Sequence, residues 1–416
     1  MDVSQVYEIV NDAVKQATGQ EALVKEDLSN VVEIGDAVLN ANALDKYVDA
    51  LVNHIGRMIF VTRPYRGVYA SLQMDSWEFG SILEKVTMEL PKAEENETWE
   101  LTDGAVYEEN QFYKPIVSAK FYNKMTTFEI PISITEKQVK QSFSNATQLN
   151  SFISMIFNAV ENALTIRIEE LSRRAVNNII AETVYAEYGS NDQTASSGVK
   201  AINLLYLYNQ TLPQDATPLT ADEALRSEGF LKFASYQMSL YIDRLKSMSV
   251  LYNVGGKERF TPREDLHVIF LTNFAKASDM YLQSDTFHKE LVALPKYESV
   301  PYFQGTATDY SFTNVSKIYV KTASGHDITI NGVIGVMFDR DAVAVNNFNR
   351  RTTSKWNAKA EFTNYWNKCD ARYFNDLNEN CVVFFIAWNE NQPENAVVDD
   401  DNNIVVDDNN EIVEYE

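Results

Sequence analysis

At 416 residues the chain exceeds what one hydrophobic core ordinarily serves, so two or three cooperating units are expected. Its 45% apolar content suits a soluble globular protein, and its longest apolar runs, "CVVFFIAW" and "GVIGVMF", fall far short of the roughly 20 residues that span a bilayer. A formal charge of −23 excludes nucleic-acid binding as the main activity, because neutralising phosphates needs clustered Lys and Arg.

Residues 1–62 carry two helical patches, "VYEIVNDAVKQ" and "ALDKYVDALVNHIGRMIF", joined by a polar stretch. Their apolar periodicity is too short for a core of their own, so the segment reads as an arm lying on something else. The start, "MDVSQVYEIVNDAVKQ", lacks a basic region ahead of a long apolar block. No secretory signal is therefore expected, and synthesis is expected in the cytoplasm. The sequons at Asn96, Asn145, Asn209 and Asn314 then read as chance.

Residues 63–125 form a long, partly extended excursion. Pro64 and Gly67 punctuate its start, "ILEKVTMEL" is strand-like, and Asp103-Gly104 between short alternating runs signals a hairpin. Trp77, Trp99, Phe112, Tyr113, Phe121 and Tyr122 lie on this excursion with few local core partners. They are read as contacts to another subunit, the alternative being a small local core.

In residues 126–190 a strand runs straight into a helix. Phe128, Ile130, Ile132 and Ile134 alternate with Glu129, Pro131 and Ser133, and the proline puts the strand at a sheet edge or ends its pairing there. Thr135 and Gln138 have the spacing of a capping box, and Asn145 with Gln148 can cap the next helix. From Leu149 a single stripe runs through Ile153, Ile156, Val160, Leu164, Ile168, Leu171, Ala175 and Ile179. That predicts a spine helix roughly 50 Å long at about 1.5 Å per residue.

After the loop "GSNDQTASSGVK", residues 191–345 alternate helical "EGFLKFASYQMSLYIDRLKSM" with strands "HVIFLTN", "SKIYVKT", "DITI" and "GVIGVMF", a mixed α/β or α+β unit. Residues 346–388 return to aromatic, strand-like sequence that includes "CVVFFIAW". The tail 389–416 carries nine carboxylates between Glu394 and Glu416, where there is no base, and reads as a solvated acidic segment.

Catalytic and ligand signatures are few. "NVGGKER" has Leu251 where a phosphate loop needs its first Gly, and Glu258 where it needs Ser or Thr. Only His54, His267, His288 and His326 are available for acid–base or metal chemistry, and His267 reads as an ordinary strand residue. In the tail, Ile404 and Asn410 break the calcium-loop pattern begun by Asp399, Asp401 and Asn403. Asp339 and Asp341 read as strand-end charges. Cys369 and Cys381 fit neither a disulfide framework nor a zinc motif and are expected to be reduced. Arg350, Arg351, Lys355 and Lys359, interleaved with Trp356, could touch phosphate or an acidic neighbour, and pairing between subunits is the simpler reading. No cofactor, metal site or catalytic residue is assigned.

The order of helical arm, long hairpin, strand, spine helix, mixed unit and returning strands resembles the Hong Kong 97-like major capsid protein fold of tailed double-stranded DNA phages. The chain looks most like capsid proteins of short-tailed phages of Gram-positive hosts in "ALVNHIGRMIF", "SFISMIFNAVENAL", "REDLHVIFLTN" and "GVMFDRDAVAV". The resemblance implies an N-terminal arm (1–62), an extended loop (63–125), a peripheral domain with the spine (126–190), an axial domain (191–345), peripheral return strands (346–388) and the tail. It further implies a non-enzymatic shell protein forming hexamers and pentamers of an icosahedral head, with scaffolding and portal proteins as partners and packaged DNA held only weakly. An encapsulin-like compartment shell and a multidomain enzyme are the alternatives. Trp77, Trp99, Phe112, Tyr113, Phe121, Tyr122, Arg350 and Arg351 are the expected subunit-interface residues.

Overall fold

The computed structural model describes residues 3–19, 46–47, 69, 72–74, 83–91, 102–105, 112–122, 125–135, 137–139, 146–189, 193–194, 196–213, 216–283, 297–304, 311–321 and 325–388, with isolated positions at 30, 50, 93 and 110. In chain order the elements are α1 (Val3–Thr18), β1 (Gln73–Met74), β2 (Leu83–Met88), β3 (Val117–Tyr122), β4 (Met125–Thr135), α2 (Ala146–Tyr188), β5 (Ala201–Asn203), α3 (Leu204–Asn209), α4 (Ala221–Ala224), α5 (Glu228–Leu245), β6 (Leu266–Leu271), α6 (Thr272–Gln283), β7 (Glu298–Val300), α7 (Phe312–Val315), β8 (Ile318–Lys321), β9 (Asp327–Ile330), β10 (Val333–Asp339), β11 (Val343–Asn357), β12 (Phe362–Asn375) and β13 (Cys381–Phe385). The architecture is α+β. Contacts divide the chain into two compact units, the first made of 1–84, 121–172 and 344–374, the second of 85–120, 173–343 and 375–416.

The first unit is built on a four-stranded sheet ordered β1-β11-β12-β4. β4 pairs antiparallel with β12 from Thr135 opposite Phe362 to Met125 opposite Arg372, and among the described residues nothing pairs on its other side. Pro131, opposite Trp366, thus sits on an edge strand, where a missing donor is tolerated. The predicted alternation holds: Phe128, Ile130, Ile132 and Ile134 turn inward while Glu129, Pro131 and Ser133 are exposed.

The turn out of β4 closes as its spacing predicts. The Gln138 N–H donates to Thr135 Oγ1 (3.3 Å), and the Thr135 N–H donates to Gln138 Oε1 (3.0 Å). Replacing Thr135 with Ala removes the first of these bonds and is expected to cost about 1 kcal/mol in denaturant unfolding.

α2 runs for 43 residues, about 65 Å at 1.5 Å per residue. Ile156, Val160, Leu164, Ile168 and Leu171 form the predicted buried stripe, and the Leu149 and Ile153 side chains lie outside the described residues. The Asn145–Gln148 cap also lies outside them. From Ala175 onward the helix changes character, with Val176, Ile179, Ile180, Ala181 and Val184 all buried, because this half belongs to the core of the second unit. Burial here spreads beyond one stripe and takes in the polar Asn177 and Thr183, as in a helix packed on more than one side.

That second core surrounds a five-stranded sheet ordered β5-β13-β10-β6-β7. β10 lies antiparallel to both β13 and β6, and every residue of β10 and β13 is buried. Two covered faces leave no polar alternation, hence the unbroken apolar runs. One face carries α3, α5 and α6, with Phe230, Leu231, Met238 and Leu245 of α5 and Phe274 of α6 packed among Phe270, Ile334 and Phe384. On the other face Tyr188 of α2 meets Phe385 edge-on at 5.9 Å. The buried Asn203 links β5 to β13: its amide donates to the Ala387 carbonyl (2.8 Å) and its Oδ1 caps α3 through the Tyr206 N–H (3.1 Å).

Two sequence expectations change here. The run "CVVFFIAW" was grouped with the preceding strands, but it pairs with β10 and β5 in the second sheet, while β11 and β12 lie in the first. "HVIFLTN" ends as a strand at Leu271, and Thr272 already begins α6.

Candidate subunit interface

β2 and β3 form a two-stranded ribbon of their own. Towards its far end Gly104 takes φ 83°, and the Ala105 N–H donates to the Thr102 carbonyl (3.1 Å), so the predicted Asp-Gly turn is present. The Glu89 N–H donates to the Ile116 carbonyl (2.9 Å), extending the pairing beyond β2.

Side chains on a strand point alternately to two faces. Thr87 and Ser118 share one face through a hydroxyl hydrogen bond of 3.0 Å, and Lys85 and Lys120 project on that same side. Lys85 reaches Asp376 (2.9 Å) and Glu379 (2.7 Å), and Lys120 reaches Asp376 (2.8 Å). Arg259 completes the cluster at 3.3 Å from Glu379, and further along Lys257 pairs with Glu89.

Burial favours the neutral form of Asp376, but hydrogen bonds from Lys120 and Lys85 outweigh it and hold the carboxyl below its ordinary value of 3.8. Burial likewise disfavours the Lys85 ammonium, and its bonds to Glu379 and Asp376 outweigh that, raising its pKa. A depressed carboxyl contributes stability that is complete at neutral pH and is lost as the pH falls through its folded value. Asp376→Asn should therefore lower the melting temperature at pH 7 and flatten the fall in melting temperature below about pH 4, read by calorimetry.

The opposite face is apolar and open. Val86, Met88 and Val117 are each more than half exposed and Leu90 continues the row, while Phe112 (84%), Tyr113 (70%) and Ile116, in the stretch leading into β3, are exposed too. A monomer has no use for such a row, whereas an interface does.

Among the other expected interface residues, Phe121 is also exposed, whereas Tyr122 packs against Phe374 with ring centroids 4.9 Å apart. Trp77 and Trp99 lie outside the described residues. Arg351 donates to Asp370 (2.6 Å), a buried carboxylate that also accepts from Thr127 (2.7 Å). Arg350 faces Glu161, whose carboxyl burial pushes up while the guanidinium pulls it back, and Cys369. Both arginines are thus engaged within their own chain. Lys355 and Lys359 are exposed on either side of Trp356.

Among the described residues the remaining candidates are ordinary structural groups, and His54, His288 and the tail lie outside those residues. His267 stacks on Phe338 (5.8 Å), and burial with Arg340 nearby lowers its pKa. Cys369 and Cys381 are buried thiols, and burial pushes Cys381 up to about 12. Among the described residues no cluster of His, Cys, Asp and Glu could hold a metal, and no helix is long and apolar enough to cross a membrane.

A family model described as Phi29-like phage major capsid protein matches residues 8–385. The chain belongs to that family. It is 22% identical over 305 residues to the major capsid protein of Bacillus phage B103, covering 70% of this chain and 66% of that one. With the major capsid protein of Bacillus phage PZA it shares 21% identity over 202 residues, 48% of this chain and 44% of the relative. The matched stretches thus span less than two thirds of either relative's length. Among solved structures, a chain from the capsid of Staphylococcus phage Andhra aligns with a TM-score of 0.47 and 10% identity, covering 78% of this chain and 88% of that chain. A chain from the mature capsid of bacteriophage PhiM1 gives 0.40 and 7%, covering 80% and 89%.

Proposed function

We propose that the chain is the building block of an icosahedral phage head enclosing double-stranded DNA, assembling through hexamers and pentamers. Its place is the virion, after assembly in the host cytoplasm, and its role is structural, with no residue assigned to catalysis. The observation that carries this reading is a ribbon that presents an apolar row to solvent in a member of a major capsid family. Family membership favours this reading over the compartment shell and the enzyme.

In the proposed arrangement 1–62 is the arm, 63–125 the extended loop, 126–190 and 346–374 the peripheral domain, and 191–345 with the returning 375–388 the axial domain of a Hong Kong 97-like subunit. Phe112, Tyr113 and Phe121 carry contacts to neighbouring copies, while Arg350 and Arg351 brace the chain itself. Scaffolding and portal proteins are the further partners. DNA is held weakly, because a chain of net charge −23 offers few clustered cations.

Electron microscopy and size-exclusion chromatography of the protein, expressed alone and with a scaffolding protein, test this. Shells, tubes or rings of five and six are expected. A monodisperse monomer under both conditions would refute it.

A further inference from the structure

The carboxylates that receive Lys85 and Lys120 sit on a single braced turn. Within it, the Asn378 N–H donates to Asp376 Oδ1 (3.1 Å) and the Glu379 N–H donates to the Asp376 carbonyl (3.2 Å). From outside, the Asp376 N–H donates to the Ala342 carbonyl (2.7 Å) and the Gly255 N–H donates to the Leu377 carbonyl (2.8 Å). The buried Asn380 amide donates to Thr261 Oγ1 (3.1 Å), whose hydroxyl donates to Asp339 (2.6 Å). Gly255 lies close against the turn, since a Cβ there would stand 1.9 Å from Asn378 Oδ1 and displace that side chain.

A turn held at so many points fixes its carboxylates whether or not the ribbon is present, so seating the ribbon orders little else. The Asp376 side chain is 1% exposed, and two lysines neutralise it. Lys85 also donates to the Asp341 carbonyl (3.3 Å), so its three donors all have acceptors. By contrast, a two-stranded ribbon has little stability of its own.

We propose that this turn is a receptor for the ribbon, and that Lys85 and Lys120 are positioning residues that fix the direction in which the ribbon projects. The purpose of that direction, presenting the apolar face to a second copy, rests on the function proposed above. The fixing itself is a property of the single chain.

The test is amide hydrogen exchange by mass spectrometry on the purified, unassembled protein, comparing residues 85–90 and 116–120 with β10 as internal reference. In the variant Lys85→Met with Lys120→Met, which keeps the aliphatic stems, the ribbon amides should exchange about tenfold faster, well beyond any change in β10. Lys85→Arg with Lys120→Arg should restore protection. Unchanged ribbon exchange in the Met variant would overturn the proposal, as would equal acceleration of ribbon and β10, which would make the cluster a general stabiliser. Because no step requires assembly, a protein that never forms shells but shows the predicted exchange would count against the function alone.

Discussion

A subunit carrying Val86→Thr, Met88→Thr, Val117→Thr and Phe112→Ser should fold like the unmodified protein and form no shells. All four side chains are more than half exposed in the single chain, so little burial is lost, and each change should move stability by no more than about 0.5 kcal/mol. Threonine also keeps the β-branched shape that strands favour. In the assembled state the same side chains would leave water. At a conservative value of about 1 kcal/mol for each of the four, the contact loses about 4 kcal/mol, roughly a thousandfold in its association constant. Every copy in a closed shell repeats the loss. Thermal unfolding with electron microscopy reads both halves: an unchanged melting temperature without particles is expected. Unfolding on substitution would show the row to be local core, and normal shells would show that it is no interface.

Gly332→Ala should destabilise the fold by about 3 kcal/mol or more, measured by denaturant unfolding. Gly332 lies between β9 and β10 at φ 71°, a backbone region that costs an L-residue about 1 kcal/mol or more. An added Cβ would also stand 1.9 Å from the Ile386 carbonyl oxygen and 2.8 Å from its carbon. These are backbone atoms just past β13, so relief means moving the chain. Moving it would stretch the bond from the Ile386 N–H to the Gly332 carbonyl (2.8 Å), next to the Val333–Phe385 pairing. A loss below about 1 kcal/mol would show that this junction yields freely.

What was legible in the sequence followed from local period. The alternation around Pro131 defined an edge strand, the stripe from Ile156 to Leu171 defined the spine helix, and Thr135 with Gln138 defined a cap. Each signal lies within one element. Of the aromatics read as having few local core partners, Phe112 and Phe121 are exposed whereas Tyr122 packs on Phe374. What stayed hidden depends on pairing across distance. The link from Lys85 to Glu379 joins positions 294 residues apart, and no spacing announces it. "CVVFFIAW" revealed by its unbroken apolarity that both its faces are buried, yet nothing in it told which sheet would take it. Arg350 and Arg351 were read as pairing between subunits because Glu161 and Asp370, which meet them within the chain, belong to other elements.

If the ribbon's apolar face touches another copy, that contact can be mapped in assembled particles. Cys369 and Cys381 are buried, so Phe112→Cys offers one accessible thiol among the described residues for a photo-crosslinker. Shells assembled from a mixture of ¹⁴N- and ¹⁵N-labelled protein then distinguish contacts between copies from those within one. Crosslinked peptides of mixed label joining residue 112 to a neighbour are the predicted result; crosslinks confined to a single label would contradict the account.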